Sequence, residues 1–325
     1  MPPSDTSQLS QVKPEPLGTG DVPSLPHSNS TITLRRILTG LTRVQKYSAY
    51  IFGTFLGIHV TSVVVVPCLP SMIVPLTIKQ EIFEMARAVY HSIPMFETAV
   101  ILASSITHVI AGISIRAVRW RINRHRPITR QKSHDAPVNE KSDDVGLGGI
   151  TSLIGLGYRK SIISKLVPGL TPLSFSGYCL FPLLGYHFYK FRYLPYSIDG
   201  DSSLINLEYI SYYLNVSPQA WGNLFNFVSI ASLVWVTAYH VTSGWLKFNN
   251  KYSSKWKKFG YLVINVTSLL GIISIFKFKN DFVNLDHVGF IGKSFTNYLA
   301  SALVWVWWRL WSKCCNEPCC RPIGT

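Results

Sequence analysis

The chain has 325 residues, of which 47% are hydrophobic, 13% aromatic and only 14% charged. A soluble domain carries about 25% charged residues. Here charge is missing from long blocks and crowded between them, the distribution of a membrane protein. The net charge of +15 would suit nucleic acid, but the basic residues flank apolar blocks on alternate loops, which excludes that partner.

Residues 1–34 hold one basic residue, Lys13, against Asp5, Glu15 and Asp21, in a Pro-, Ser-, Thr- and Gly-rich context. They show neither a basic n-region with an apolar h-region nor an Arg-rich amphipathic stretch, so a cleaved signal or transit peptide is not expected. With too few apolar residues to bury, this segment reads as a disordered tail.

Tyr47 to Ile78 contains no Asp, Glu, Lys or Arg. About 20 residues cross the hydrocarbon, which predicts a first span near 47–67. Further spans are expected near 94–117, 172–191, 221–246 and 259–276. A sixth, shorter one covers 294–308 and is extended by Arg309–Trp311, where Trp305, Trp307, Trp308 and Trp311 suit an interfacial belt. The expected fold is therefore an all-α integral membrane protein, a helical bundle of five or six transmembrane helices. Its parts are a tail (1–34), a first transmembrane repeat (35–135), a linker (136–165), a second repeat (166–258), additional helices (259–311) and a Cys-rich end (312–325). Cys68 and Cys179 read as small buried residues. Cys314, Cys315, Cys319 and Cys320 could be palmitoylated, bind zinc or stay as thiols.

Charge gives the orientation. Arg35, Arg36, Arg43 and Lys46 precede span one, and seven basic residues from Arg116 to Lys132 follow span two, with no acid in either stretch. Five lysines from Lys247 to Lys258 follow span four. The loops after spans one and three mix signs, and Asp199, Asp201 and Glu208 in the latter read as solvated. Basic and neutral loops alternate, so the N-terminus is expected in the cytosol. The run from Arg116 either sets topology or also binds anionic lipid headgroups.

Two copies of one unit are visible. Ser48, Tyr50, Gly57 and His59 recur as Ser176, Tyr178, Gly185 and His187, all at one offset of 128 residues. Spans two and four both carry H-V-x-x-G, from His108 to Gly112 and from His240 to Gly244. By helical rise (~1.5 Å per residue), all four rings are expected to approach one another near mid-membrane. An ionisable group there marks a functional site. Neutral imidazole is a good iron ligand, and facing helices can hold a planar group. Gly57, Gly112, Gly185 and Gly244 would admit a macrocycle or a second helix. His59, His108, His187 and His240 are thus candidate ligands of haem b. The alternatives are structural hydrogen bonds and proton or ion transport. His27, His91, His125, His134 and His287 fall in tail or loops.

The doubled G-x-H and H-V-x-x-G unit resembles the transmembrane region of a fungal mitochondrial outer-membrane family, the MDM-ten-complementing proteins, over roughly 40–311. That region is itself similar to the cytochrome b anchor of succinate dehydrogenase. The resemblance implies a multi-pass protein of the mitochondrial outer membrane that acts in lipid homeostasis. It implies recruitment of a bridge-like lipid-transfer protein of the vacuolar-sorting-thirteen type through a P-x-P motif in a cytosolic tail. Here Pro14 and Pro16 supply that motif, and Pro23-Ser24-Leu25-Pro26 is a poorer second. Two prolines pre-set an extended backbone, so docking orders little chain. The expected function is a non-enzymatic adaptor at membrane contact sites, compatible with bound haem. The main alternative is a b-type cytochrome with axial pairs His59/His108 and His187/His240.

Overall fold

The computed structural model describes residues 29–124, 170–217, 221–281 and 289–300. Pro14 and Pro16, the 136–165 linker, the tryptophans of the sixth expected span and the Cys-rich end lie outside the described residues. Among the described residues every regular element is helical. α1 runs Asn29–Val60, then through a π turn, Thr61–Val65, into Val66–Cys68. α2 is Leu76–Ser92. α3 opens with a π segment, Glu97–Ala103, and continues as Ser104–Arg124. α4 runs Pro172–Phe188, turns through Tyr189–Tyr193 and ends as Leu194–Asp199. α5 is Leu207–Asn215, α6 Gly222–Phe248 and α7 Ser254–Asp281. Residues 290–300 form α8, the described part of the sixth expected span.

α1 begins inside the segment expected as tail. Asn29 to Lys46 contains no proline and carries Leu, Arg, Lys and Gln, which favour helix, so the span extends backwards as a basic helical stem. α4 starts where Thr171 caps it, its Oγ1 accepting from the Ser174 amide at 3.2 Å, with Pro172 in the first turn. It stops at Gly200, whose φ of 73° is left-handed.

The two π turns have one cause. Pro67 has no N–H to give the Val63 carbonyl and its ring crowds that oxygen; widening the helix relieves the clash. The freed Val63 carbonyl accepts from Ser274 Oγ of α7 at 3.0 Å. In the second copy, Pro195 follows the turn Tyr189–Tyr193 in the same way. Both the prolines and the turns keep the 128-residue offset, so the duplication reaches beyond the histidines. α1 packs along α3, and α4 along α6, giving two hairpins; α7 packs on α6, α5 and the end of α1.

The two sign-mixed loops are not plain connections, as the sequence reading had them. Each contains a helix, α2 in one copy and α5 in the other. α5 is capped by Asn206, whose Oδ1 accepts from the Tyr209 amide at 3.0 Å. It carries Tyr209, Tyr213 and Leu214 into a core with Leu194, Phe278 and Phe295. Asp199 and Asp201 are exposed as expected, although Asp199 accepts from the Tyr298 hydroxyl, while Glu208 is half-buried. Hydrogen bonding of Asp201 to Ser203 and Ser202 holds its carboxyl below the usual range. Arg87 of α2 donates to the Ser203 and Ile205 carbonyls at 2.7 Å. The non-basic end of the bundle is therefore a packed cap. Lys79, only 3% exposed, donates to the Pro67 and Leu69 carbonyls at 3.3 and 2.8 Å at the C-terminus of α1.

Four helices are long and apolar enough to cross a membrane: Thr33–Cys68, Glu97–Ile122, Gly222–Phe248 and Ser254–Asp281. Only 17% to 28% of each apolar window is buried, so most of that surface faces outward, as lipid contact requires. α4 is shorter in its apolar part, Pro172–Phe188, and continues through a turn bearing Lys190 and Arg192. Arg192 meets Glu97 at 2.5 Å, which pairs that charge at the end of the bundle. Cys68 and Cys179 are half-buried rather than buried, and Cys68 Sγ donates to the Leu270 carbonyl at 2.8 Å.

A close helix approach is at Gly271 of α7, where a Cβ would stand 2.6 Å from Val234 Cγ1 of α6. Gly271→Ala should cost about 1–3 kcal/mol by overpacking and lower the thermal midpoint in detergent. Adding Val234→Ala should recover most of the loss. An unchanged midpoint for the single variant would mean α6 and α7 are not packed this closely.

Candidate functional site

All four repeat histidines are half-buried within the bundle, whereas His91 is exposed. They do not converge at one depth. His108 and His240 face each other with ring centres 6.2 Å apart and planes at 85°. His59 and His187 do so at 6.0 Å and 69°. The pairs therefore join equivalent residues of the two copies, as a local twofold axis demands. The within-copy pairs His59/His108 and His187/His240 are not formed. Gln45, which touches His108, lies fourteen residues before His59 on α1. At ~1.5 Å per residue the two tiers are about 21 Å apart. The expectation of four rings meeting at mid-membrane is corrected accordingly. The error arose because the rise was counted from uncertain helix ends.

Each copy positions its second-helix histidine against its own first helix. His108 Nδ1 lies 3.1 Å from the Gln45 carbonyl. A carbonyl only accepts, so Nδ1 carries the proton. His240 Nδ1 lies 3.1 Å from Ser176 Oγ, which itself donates to the Leu173 carbonyl at 2.8 Å. The serine proton is thus used, and Nδ1–H of His240 donates to Oγ. Ser48, the counterpart of Ser176, donates to Gln45 O at 3.1 Å. The same serine–carbonyl corner recurs in both copies and leaves Nε2 of both histidines as the acceptor nitrogen.

The deeper tier is aromatic. Phe55 stacks on His59 at 5.2 Å and 20°, and Phe191 lies 4.8 Å from His187. Phe55 also meets Tyr90 of α2 edge-on at 5.0 Å. Two polar atoms here, His187 Nδ1 and the Tyr90 hydroxyl, are buried without a hydrogen-bond partner among the described residues. Each costs about 1–3 kcal/mol unless something satisfies it. Burial pushes the Tyr90 phenol up to about 12, so it stays a neutral donor. Ser243 Oγ, one turn from His240, is unpartnered too.

The glycines divide differently from expectation. A Cβ at Gly57, Gly185 or Gly244 meets nothing within 4 Å, so these are not close-approach positions. Gly112 is one, facing Gln45 Nε2 at 2.9 Å. Gly177 is another: a Cβ there would stand 3.0 Å from His240 Cε1, so its absence seats that ring against α4. Gly177 stands inside the Ser176–Tyr178 motif, where the sequence reading used its neighbours and passed over it.

The acid-free basic stretches gather at one end, whereas Lys79, Arg87 and Arg192 stand among carboxylates at the cap. Lys46 donates to the Phe248 carbonyl at 3.1 Å, and Tyr50 to Asn249 Oδ1 at 3.3 Å. Arg116 donates to the Tyr178 hydroxyl at 2.6 Å and lies 4.8 Å from that ring's centre. The His108/His240 tier sits beside this rim and the His59/His187 tier toward the cap.

Chemically, each tier offers two neutral imidazoles. Among the described residues no three His, Cys, Asp or Glu side chains converge to hold a bare metal ion. Two axial nitrogens suit a metal whose other ligands come from a macrocycle, as in haem. The donor set and the anchored Nδ1 groups of His108 and His240 fit that group.

Known proteins agree with this architecture. "Mitochondrial adapter protein MCP1" of Saccharomyces cerevisiae is 25% identical over 262 residues, covering 79% of each chain. No solved structure matches significantly. The profile of the MDM10-complementing protein 1 transmembrane domain matches residues 54–163 and 182–297, one stretch per repeat, with one histidine of each tier in each. Covering more than two thirds of the sequence, this match places the chain in the MDM10-complementing protein 1 transmembrane-domain family.

Proposed function

We propose that the chain is an adapter of the mitochondrial outer membrane. Its N-terminal tail reaches the cytosol and recruits a bridge-like lipid-transfer protein of the vacuolar-sorting-thirteen type to contact sites, supporting mitochondrial lipid supply. The observation that carries this reading is the one-sided basic rim. Lys46 and Tyr50 of α1 hold the segment around Phe248 and Asn249, and Arg116 holds Tyr178, on the side of the bundle from which α1 comes. A basic face marks the cytosolic side, and the curated relative is itself named a mitochondrial adapter. Pro14 and Pro16 offer a preformed extended segment on that side. Protease added to intact mitochondria should remove the tail and spare the bundle. Pro14→Ala/Pro16→Ala should reduce partner recruitment more than tenfold while the protein keeps its membrane location. Normal recruitment by that variant sinks the tail assignment.

A second reading, compatible with the first, is that the bundle binds haem b. The anchored Nδ1 groups of His108 and His240 favour it, because ligating imidazoles as a rule give their other N–H to a carbonyl or similar acceptor. Haem held there would supply one-electron redox chemistry at its iron. His59, His108, His187 and His240 would bind and orient it, and the outward-facing apolar helices would exclude water. The detergent-purified protein should show the Soret and reduced α-bands of a low-spin b-type haem. A featureless visible spectrum after reconstitution with haemin rules this reading out.

A further inference from the structure

We infer that the chain holds two bis-imidazole iron–porphyrin sites, each built between the repeats: His108 with His240 beside the basic rim, and His59 with His187 beside the cap. The inference rests on the haem reading and adds its number, its ligand pairs and its symmetry.

The distances carry it. Two axial imidazoles are separated by two metal–nitrogen bonds of ~2 Å each plus the distance from each nitrogen to its ring centre. Their ring centres then stand roughly 6 Å apart. The two cross-repeat pairs have 6.2 and 6.0 Å. Within a copy, by contrast, His59 is about 21 Å along the membrane normal from the level of His108, by helical rise from Gln45. No single iron can join them, so the within-copy pairs are excluded. One shared site for all four rings is excluded on the same ground.

Each tier carries its own sign of incompleteness. At the rim, both Nδ1 atoms are committed to Gln45 and Ser176, and Ser243 Oγ is buried without a partner. At the cap, His187 Nδ1 and the Tyr90 hydroxyl are buried without one. The ring planes are steep to one another in both tiers, 85° and 69°. Near-perpendicular axial imidazoles give ferric low-spin iron a highly anisotropic electron paramagnetic resonance signal.

The test is a haemin titration of the full chain in detergent, followed by pyridine-haemochrome stoichiometry and resonance spectra. We expect two haems per chain and a highly anisotropic ferric signal. His59→Ala and His187→Ala should each remove the same one of two spectral species, and His108→Ala and His240→Ala the other. Each single variant should halve the stoichiometry. Should an alanine variant fail to purify as a monodisperse species, the bulkier His→Met substitution replaces it, and a changed axial ligand then reports the same pairing by its shifted spectrum. One haem per chain, or one species lost by both His59→Ala and His108→Ala, overturns the pairing while leaving haem binding standing. A chain that takes up no haem overturns the haem reading itself.

Discussion

An imidazole inside a membrane has to place its N–H on an acceptor, and the rest of this bundle follows from where that acceptor is. In both copies it is a serine–carbonyl corner on the first helix, Gln45 with Ser48 midway along α1 and Leu173 with Ser176 at the start of α4. That contact fixes how far each second helix slides along its partner. It also fixes the tautomer, because only Nδ1 can be the donor. Once the slide is fixed, His108 is level with the middle of α1 and His240 with the first turns of α4. His59 and His187, further along those helices, are left to form a tier of their own.

Much of this was readable from residue order. The uncharged blocks gave the spans, and the 128-residue offset gave the duplication. The same offset also joined Pro67 to Pro195, so the two π turns were present in the sequence as a missing N–H in each copy. Pairing was not readable. Periodicity tells which face of a helix a histidine occupies, but not which neighbouring helix that face meets. Here each histidine ring meets its own equivalent in the other copy, and that follows only once both hairpins are placed side by side. Helices α2 and α5 were hidden for a different reason. α2 carries balanced charges and α5 the lone Glu208, and both lie in connections, so hydropathy reads them as loops, while their stability comes from packing Tyr209 and Tyr213 against Phe278 and Phe295 and from Lys79 closing the end of α1.

The glycines show the limit of motif reasoning most plainly. Those flanking the histidines at fixed spacing, Gly57, Gly185 and Gly244, face open space. Of the motif glycines only Gly112 meets a neighbour closely, at Gln45; Gly177 under the His240 ring and Gly271 against Val234 do so too. The last two are not set apart by spacing, because a close approach depends on the residue facing it from the other helix.

Duplication left the two ends of the molecule unequal, and that inequality links the membrane domain to the adapter reading. At the rim the copies remain alike: the same serine corner, the same histidine anchor, and basic residues after both second helices. At the cap they have diverged. One copy supplies α2, with Lys79 closing the end of α1, and the other supplies α5 with its tyrosine core, while the Glu97–Arg192 ion pair joins the two. A packed cap holds the two hairpins in fixed register. The rim is charged and, among the described residues, free of acids, and Lys46, Tyr50 and Arg116 join its helices there. Under the proposed adapter function, the charged end is the side on which a tail motif acts, away from the packed cap.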